Sequence, residues 1–271
     1  MRIVIIGQEE AVYFSPFLRS IIEARPKDIV AVVIAGVRGA GSHPKTLRQK
    51  LENIFILWLI MEPYGFIRNL CIGVLQSLIR LLAPLVVLPL DKRSIHGAAR
   101  KYNIHIVNSC DLNSHEFIEK LRKFSPDVVI NQTELLLKEE LLAVPKIGII
   151  NRHASLLPHF RGRLGSWWSH AAQPPEYGVT IHFVDKEIDS GPIIMQKRYS
   201  IDQRVSYCKV LDILFNDAPS LMLEALARIE KPDFVPLPNK YQGTKTYLFP
   251  TLKEVKAYRA LLKKRRGESK V

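Results

Sequence analysis

Short runs of apolar residues alternate along the first half of the chain with segments in which apolar residues recur every three or four positions. Runs that are apolar throughout, such as Ile3–Gly7 and Ile29–Ala35, are typical of strands buried on both faces of a parallel sheet. The periodic segments, such as the one through Phe17 and Ile21, are typical of helices packed on such a sheet. Further strands are predicted at 104–107, 127–130 and 147–151, and helices at 94–102, 114–124 and 135–142. This alternation predicts an α/β fold with a Rossmann-like, doubly wound, mostly parallel sheet.

The pattern changes after residue 160. Helices are predicted at 164–172 and 205–229, and strands at 179–184 and 193–198. A final helix at 251–264 is expected to begin at Thr251, with Glu254 at the capping-box position. We therefore expect a catalytic domain over 1–200 and a short C-terminal helix and extension over 201–271, without the β-barrel series of an OB-type domain.

The segment 46–90 is an apolar insertion in this alternation. Glu62, Arg68 and Arg80 interrupt it, so no part supplies the ~20 uncharged residues of a membrane-spanning helix. It is too apolar for a free surface loop and is predicted to be helical. We expect first that it packs on the core or on a second copy in a homodimer. Alternatively it lies on an anionic membrane, with basic residues at the headgroups, or covers the site as a lid.

Composition narrows the class of protein. Apolar residues make up 47% of the 271 residues, which excludes global disorder. The formal net charge of +13 favours anionic partners such as nucleotides, RNA or an acidic membrane. Three scattered cysteines fit a reducing cytosol, and Met1 leads directly into a predicted strand rather than a signal peptide. A cytoplasmic protein, with peripheral membrane contact as an alternative, is expected.

The candidate chemistry begins at the end of the strand predicted at 147–151. Residues two apart on a strand point to the same side, so Asn151 and His153 are expected to share a face that Arg152 avoids. An amide N–H can hold a developing oxyanion, and a histidine can carry a proton near neutral pH. Asp189, on a turn before another apolar run, would supply a carboxylate for the charged histidine. Taken singly, each residue fits a structural role equally well: a turn cap, a core histidine and a turn aspartate.

Three strings place these residues in a common pattern: Asn-Arg-His-Ala-Ser-Leu-Leu-Pro at 151–158, Gly-Val-Thr-Ile-His at 178–182 and Asp-Ser-Gly-Pro-Ile-Ile at 189–194. In residues and order they resemble the signature of the 10-formyltetrahydrofolate-dependent formyltransferases, which include methionyl-tRNA and sugar N-formyltransferases. The resemblance covers about residues 90–200. It implies a Rossmann-like formyltransferase domain, a catalytic set carried by Asn151, His153 and Asp189, and 10-formyltetrahydrofolate as co-substrate without a metal ion.

The resemblance also implies where the folate lies: along the segment before the motif and along the loop before Asp189. The residues expected to contact it are Glu134, Leu135, Leu136, Leu137, Val184, Asp185 and Ile188.

The chain departs from the family pattern at Arg152, where an apolar residue is usual. Arg152 is expected to pair with a carboxylate on the far side of the strand, in preference to an acceptor phosphate.

The loop 159–168 combines arginines that can pair with phosphates and tryptophans that can stack on a base. In the family this loop faces the acceptor, which makes Arg161, Arg163, Trp167 and Trp168 candidate substrate contacts. The alternative is a basic surface loop with Trp168 in the core. His159, His170 and His182 are expected to be structural.

The acceptor amine is the least determined part of this interpretation. Relatives formylate methionine on initiator tRNA, glycinamide ribonucleotide, or amino sugars on nucleotide diphosphates. The segment 246–251 resembles the tails of sugar-type enzymes, and a nucleotide-linked amino sugar is the favoured acceptor. Initiator tRNA is the alternative, and the basic charge suits RNA. A non-catalytic folate- or nucleotide-binding module is the further alternative.

Overall fold

The structure, a computed structural model, describes residues 1–36, 46–82, 94–240 and 245–267 of the chain. The strands are β1 (Ile3–Gly7), β2 (Ile29–Ala35), β3 (His105–Ser109), β4 (Val128–Gln132), β5 (Gly148–His153), β6 (Arg161–Gly162), β7 (Tyr177–Phe183), β8 (Ile193–Tyr199) and β9 (Thr246–Tyr247). The helices are α1 (Phe14–Ala24), α2 (Leu47–Leu82), α3 (Ile95–Lys101), α4 (His115–Lys123), α5 (Glu139–Leu142), α6 (Gly165–Ala171), α7 (Tyr207–Ile229) and α8 (Leu252–Arg265).

The main sheet has, within the described residues, seven strands in the order β3-β2-β1-β4-β5-β7-β8. The first five strands along the chain run parallel, while β7 is antiparallel to β5 and β8 is antiparallel to β7. The chain moves outward from β1 to β3 and then returns to place β4 on the other side of β1, so the sheet is doubly wound. The predicted α/β fold is confirmed, and its strand order places a crevice at the carboxyl ends of β1 and β4.

Each face of the sheet has its own hydrophobic core. In β1, Ile3 and Ile5 belong to one cluster, and Val4 and Ile6 belong to the other. The first cluster includes residues of α1, α2, α7 and α8, and the second includes residues of α4 and α5. The continuous apolar runs of the sequence therefore follow from burial on both faces.

The segment 135–142 is helical only from Glu139, so the predicted helix is wrong for its first four residues. Leu137 is buried in the second core cluster. The amide of Asn113 donates to the carbonyl of Leu136 and its oxygen accepts from the backbone N–H of Lys138. These bonds hold the segment after β4 in a non-helical conformation at the rim of the site.

Over its described part the apolar insertion forms two helices joined at a kink, together named α2, while residues 83–90 lie outside the described residues. Glu62 interrupts the helix with φ of 59° and ψ of 159°, and Pro63 begins its second half. Proline suits the first position of a helix, where its missing N–H costs no bond. The α2 helix packs on α7 and α8.

The residues after 200 pack on the same core as the sheet. Leu226 of α7 and Tyr258 of α8 are buried in the first cluster, and β9 pairs in parallel with β6. The predicted cap of the last helix is confirmed, since Thr251 and Glu254 form a reciprocal capping box. The division into domains at residue 200 stays a prediction.

Candidate active site

Three polar side chains line up across the carboxyl end of the sheet. Asn131 of β4 is in register with Asn151 of β5, which is in register with His182 of β7. The Oδ1 atom of Asn151 is buried and has no hydrogen-bond partner among the described residues. A buried acceptor without a donor costs about 1–3 kcal/mol, and the N–H group of a ligand would satisfy it.

His153 is held between a carboxylate and a carbonyl. Its Nδ1 atom lies 3.4 Å from Oδ2 of Asp189, and its Nε2 atom lies 2.6 Å from the backbone oxygen of Phe160. A carbonyl oxygen only accepts, so Nε2 carries a proton in this arrangement. With an acceptor at each nitrogen, the ring can hold protons on both.

Gly165 allows the ring of His153 to occupy this position. A Cβ atom at Gly165 would lie 2.7 Å from Nε2 of His153 and 2.5 Å from the oxygen of Phe160. Both separations are too short for a methyl group. The Ser155 hydroxyl donates to the same Phe160 oxygen at 3.0 Å, so the helix start and the loop after β5 together fix the imidazole.

The turn at Asp189 is fixed by backbone geometry and by donors from two segments, 161–162 and Asn239. Its φ of 48° is left-handed, which is uncommon for a residue with a side chain. Its Oδ2 atom accepts from the backbone N–H of Gly162 at 2.7 Å. The side-chain amide of Asn239 donates to the carbonyls of Asp189 and Gly191, and Arg161 donates twice to the carbonyl of Ile188. The carboxylate is thereby held with one oxygen toward each of two histidines.

The protonation of Asp189 is set by opposing effects. Burial alone would raise the pKa of the Asp189 carboxyl, but the imidazoles of His153 and His182 and the Gly162 N–H lower it, and the net pKa lies below its ordinary value. Asp189 is therefore ionised at neutral pH. It can accept a proton during a reaction or hold a positive charge on His153.

His182 belongs to the site together with Asn151, His153 and Asp189. Its Nε2 atom lies 3.6 Å from Oδ1 of Asp189, while Nδ1 lies 2.7 Å from the carbonyl of Phe183. Burial lowers the pKa of His182 to about 4, against the opposing effect of Asp189. The ring is therefore neutral at neutral pH, with its proton on Nδ1 facing the carbonyl. The expectation of a purely structural His182 is too narrow, because it contacts the carboxylate of the site.

Arg152 points to the opposite face of the sheet, as strand parity predicts. Its guanidinium is buried 3.9 Å from the ring centre of Phe215, and Nε donates to the side chain of Gln132 at 3.2 Å. The expected carboxylate partner is absent among the described residues, and that prediction is wrong. Burial lowers the pKa of Arg152 to about 9. Aromatic faces and an amide replace the carboxylate.

The two segments predicted to contact folate converge on one apolar cluster. Leu137 is buried in the second core cluster, and Leu135 and Val184 pack against it. Leu136 and Ile188 are exposed, as are Glu134 and Asp185. The structure thus places exposed and apolar groups on both segments, and Val184 is bonded to Ile149 of β5. Their contacts with folate stay a prediction.

The side chains of the predicted acceptor loop contact other residues of the domain and are not free in solvent. Arg161 is engaged with the carbonyl of Ile188, and Arg163 lies 3.0 Å from the carboxylate of Glu134. Trp167 is fully buried against Tyr258, so its assignment as a substrate contact is corrected to a core residue. Trp168 is half-buried; its indole N–H donates to the carbonyl of Leu248, and its ring lies 4.8 Å from that of Tyr247.

Sequence reasoning missed the residues that hold the site without reacting. Gly162, Gly165 and Asn239 carry no reactive group, and Asn239 lies far along the chain. His182 had a usable signal, because its place in the string 178–182 puts it on the same strand face as Thr180, and Thr180 pairs with His153.

Comparison with known proteins gives the family. The family model described as formyl transferase matches residues 84–226, more than half of the chain. The chain belongs to the formyl transferase family. The matched region contains Asn151, His153, His182 and Asp189, and the resemblance read from the sequence is confirmed.

Curated relatives within the formyl transferase family include two methionyl-tRNA formyltransferases. The one from Wolbachia pipientis is 38% identical over 143 residues, which cover 52% of this chain and 48% of the relative. The one from Clostridioides difficile is 30% identical over 130 residues, covering 48% and 42%. The chain therefore spans about half the length of the curated relatives it matches.

Solved structures of formyltransferases share the fold over most of the chain. A sugar N-formyltransferase from Shewanella has a TM-score of 0.57 at 16% identity and covers 96% of this chain and 88% of its own. A phosphoribosylglycinamide formyltransferase from Anaplasma phagocytophilum also has a TM-score of 0.57 at 16% identity, covering 92% and 99%. At these identities the likeness shows the fold alone.

Proposed function

We propose that this protein transfers the formyl group of 10-formyltetrahydrofolate to a primary amine. The observation that carries the proposal is the meeting of Asn151, His153 and Asp189 at the carboxyl end of the sheet, in a chain of the formyl transferase family. The unsatisfied Oδ1 of Asn151 and the acceptors around His153 suit a ligand rich in N–H and C=O groups.

The co-substrate supplies an electrophilic formyl carbon on N10. Asn151 donates an amide N–H to the formyl oxygen as it gains negative charge, and the positive charge of the protonated His153 ring stabilises the same oxygen through the electrostatic field. Asp189 holds that positive charge and takes up the proton which the acceptor amine loses, directly or through water. The acceptor nitrogen gains the formyl carbon, and N10 loses it and gains a proton. Atoms and charge therefore balance without a metal or an oxidant.

We infer a nucleotide-linked amino sugar as the acceptor. Beside Gly162, the half-buried rings of Trp168 and Tyr247 contact each other, and the Lys245 ammonium lies 5.1 Å from the ring centre of Tyr247. An aromatic surface with a neighbouring cation suits a base and a phosphate. Trp168, Tyr247 and Lys245 thus take the place that the sequence assigned to Trp167.

Methionine on initiator tRNA is the second candidate acceptor. The observation favouring it is the 38% identity over 143 residues with the Wolbachia methionyl-tRNA formyltransferase. The two acceptors differ in size and charge, so the same assay separates them.

The experiment incubates the protein with 10-formyltetrahydrofolate and, separately, a UDP- or dTDP-linked amino sugar and charged initiator tRNA. The formylated product is detected by mass spectrometry or by acid gel. We expect transfer to the sugar. Asn151→Ala and His153→Ala should each lose about a hundredfold or more in kcat/KM while keeping the circular dichroism spectrum.

The matched control is His105→Ala, because His105 is exposed on the edge strand β3, at the far side of the sheet from β5. It should keep wild-type turnover. Formylation of tRNA alone would refute the sugar assignment but not formyl transfer. Folate binding without transfer to either amine would favour the non-catalytic module, and wild-type rates in Asn151→Ala would refute the mechanism.

A further inference from the structure

The α2 helix exposes an apolar stripe along its outer face. In its first half, Leu47, Leu51, Ile54 and Phe55 are each about half exposed or more, and their spacing places them on one side. In its second half, the exposed apolar residues on one side are Tyr64, Ile67, Val74, Leu75 and Leu78. A stripe of this length, running on both sides of the kink, marks an interaction surface.

The opposite face of α2 is tightly attached to the domain. Ile56 and Ile60 are buried in the first core cluster. A Cβ atom at Gly65 would lie 2.8 Å from the Cβ of Cys208, so α2 and α7 are in close contact there. The helix therefore has two apolar faces, and only one is used by the domain.

Two charged residues near the middle of α2, Glu62 and Arg68, turn inward. Glu62 pairs with Arg259 and Arg266 of the C-terminal helix and its cap, at 2.8 and 2.7 Å. Arg68 makes a two-point contact with Asp212 of α7 at 2.7 and 2.9 Å. The outer face is left apolar beyond the start of α2 because Glu62 and Arg68 are paired with the domain, and the exposed charges described on α2 lie near its start.

Because α2 is attached to the domain on one face, it can lie on a membrane surface but cannot cross the bilayer without losing these contacts. By length and composition, Leu47–Ile79 is long and apolar enough to cross a bilayer. Crossing would break the Glu62 and Arg68 pairs and separate Ile60 from the core. A helix with one face fixed to a folded domain and the other apolar lies along the membrane surface instead.

Charge selects the kind of partner. Arg48, Lys50 and Glu52 are exposed at the start of α2, which leaves a net positive charge there. The α8 helix, which packs on α2, exposes four lysines and no exposed carboxylate along its described length, and these are Lys253, Lys256, Lys263 and Lys264. A second copy of the chain docked through α2 would bring these like charges together, at an energetic cost. Anionic phospholipid offers the opposite charge.

We propose that the outer face of α2 lies in the headgroup region of an anionic membrane, with the basic residues of α2 and α8 at the phosphates. The domain is then a peripheral membrane protein held by an apolar stripe together with electrostatic attraction. The proposal is independent of the acceptor and of formyl transfer.

The test is flotation of the full chain with vesicles of phosphatidylglycerol and phosphatidylcholine, compared with vesicles of phosphatidylcholine alone. We expect wild-type protein to float with the anionic vesicles and to be largely released from them by high salt. A triple variant that combines Leu51→Gln, Ile67→Gln and Val74→Gln should partition onto the anionic vesicles at least tenfold less than wild type. It changes no charge and alters only exposed positions.

The matched control carries the same substitution at three exposed apolar residues elsewhere, Ile147, Val235 and Leu248, and should float like wild type. Circular dichroism confirms the fold of both variants. The proposal is overturned if wild type stays unbound to both vesicle types or if the stripe variant floats equally well. A wild-type dimer in light scattering that the stripe variant alone dissociates, without flotation, would assign the stripe to a second copy.

Discussion

Arg152 lies between two site residues in sequence and on the other side of the sheet in space. Its cation is buried among aromatic rings with Nη1 unpartnered among the residues that the structure describes. A buried charge without a carboxylate costs free energy, since desolvation exceeds what an amide and ring faces return. Arg152 is therefore expected to contribute little to stability and nothing direct to chemistry.

Replacing this residue tests that expectation. Arg152→Met fills a similar volume without a charge, and its free energy of unfolding should equal the wild-type value or exceed it by up to about 2 kcal/mol. Arg152→Lys keeps the charge but loses the planar contact with Phe215, and should be less stable than wild type. Urea unfolding measures both. A loss of more than about 1 kcal/mol in Arg152→Met, or a tenfold fall in turnover, would contradict this account.

Two buried histidines make stability depend on pH. Burial, reinforced by Arg265, lowers the pKa of His170 to about 4, and burial lowers that of His182 to about 4. In the unfolded chain a histidine takes up its proton near pH 6.5. Between these values the unfolded state binds more protons, so the free energy of unfolding falls as the pH falls.

His170 offers the cleaner test because it lies outside the site, with Nδ1 2.7 Å from the hydroxyl of Tyr177. Within the window from pH 6.5 to 4 it should account for up to about 1.4 kcal/mol per pH unit. His170→Gln should flatten the decline of unfolding free energy between pH 7 and 5, measured by urea titration. His105→Gln is the exposed control. An unchanged slope in His170→Gln would refute the assignment.

At the scale of elements, the sequence predicts most strands and helices because each has a simple cause. The strand Ile29–Ala35 is found with the predicted bounds, since burial on both faces makes a strand apolar throughout. The segment 135–138 is predicted wrongly because its apolar residues fit a helix, while Asn113, distant in sequence, holds its backbone extended. The kink of α2 at Glu62 has a local signal in Pro63, because the residue before a proline is disfavoured in the helical conformation, whereas the pairs of Glu62 with Arg259 and Arg266 have no local signal.

The start of α6 is the element that packs most closely on a reactive group. Gly165→Ala would place a methyl group against Nε2 of His153, so the ring must move. We expect formyl transfer to fall by at least tenfold, with a folded protein. The control is Gly73→Ala in α2, where a Cβ meets no atom within 4 Å; it should keep activity and gain up to about 1 kcal/mol from helix propensity. Full activity in Gly165→Ala would show that the ring position is not required.

The site residues divide in the same way: those with a local sequence signal are predictable, and those that act through contacts distant in sequence are not. Asn151, His153 and Asp189 were predicted because strand parity and a family pattern apply within short strings. The donors that orient Asp189 were not, because Gly162 acts through its backbone N–H and Asn239 through a contact spanning 50 positions. The false assignment of Trp167 has a related cause, since two adjacent tryptophans look alike in sequence while α6 buries only one.

At the scale of the whole molecule, Glu62 joins the insertion to the C-terminal helix. Its carboxylate accepts from two arginines at 2.7 to 3.0 Å, and its side chain is 15% exposed. Glu62→Gln should lower the free energy of unfolding by about 1–2 kcal/mol, because two arginines lose their anionic partner. The control is Glu224→Gln on α7, whose exposed pair with Arg228 should contribute under about 0.5 kcal/mol. If Glu62→Gln and Glu224→Gln lower stability equally in thermal unfolding, Glu62 has no special role in joining the two helices.

The late position of the residues that fasten Asp189 has a consequence for synthesis on the ribosome. The sheet is complete in sequence at β8, but the turn carrying Asp189 waits for Asn239, and β6 waits for its partner β9. A nascent chain therefore contains all strands of the main sheet before the partners that fix its catalytic residues have been made. During translation the strands of the main sheet emerge first, and the site is complete only after Asn239 and β9 have emerged.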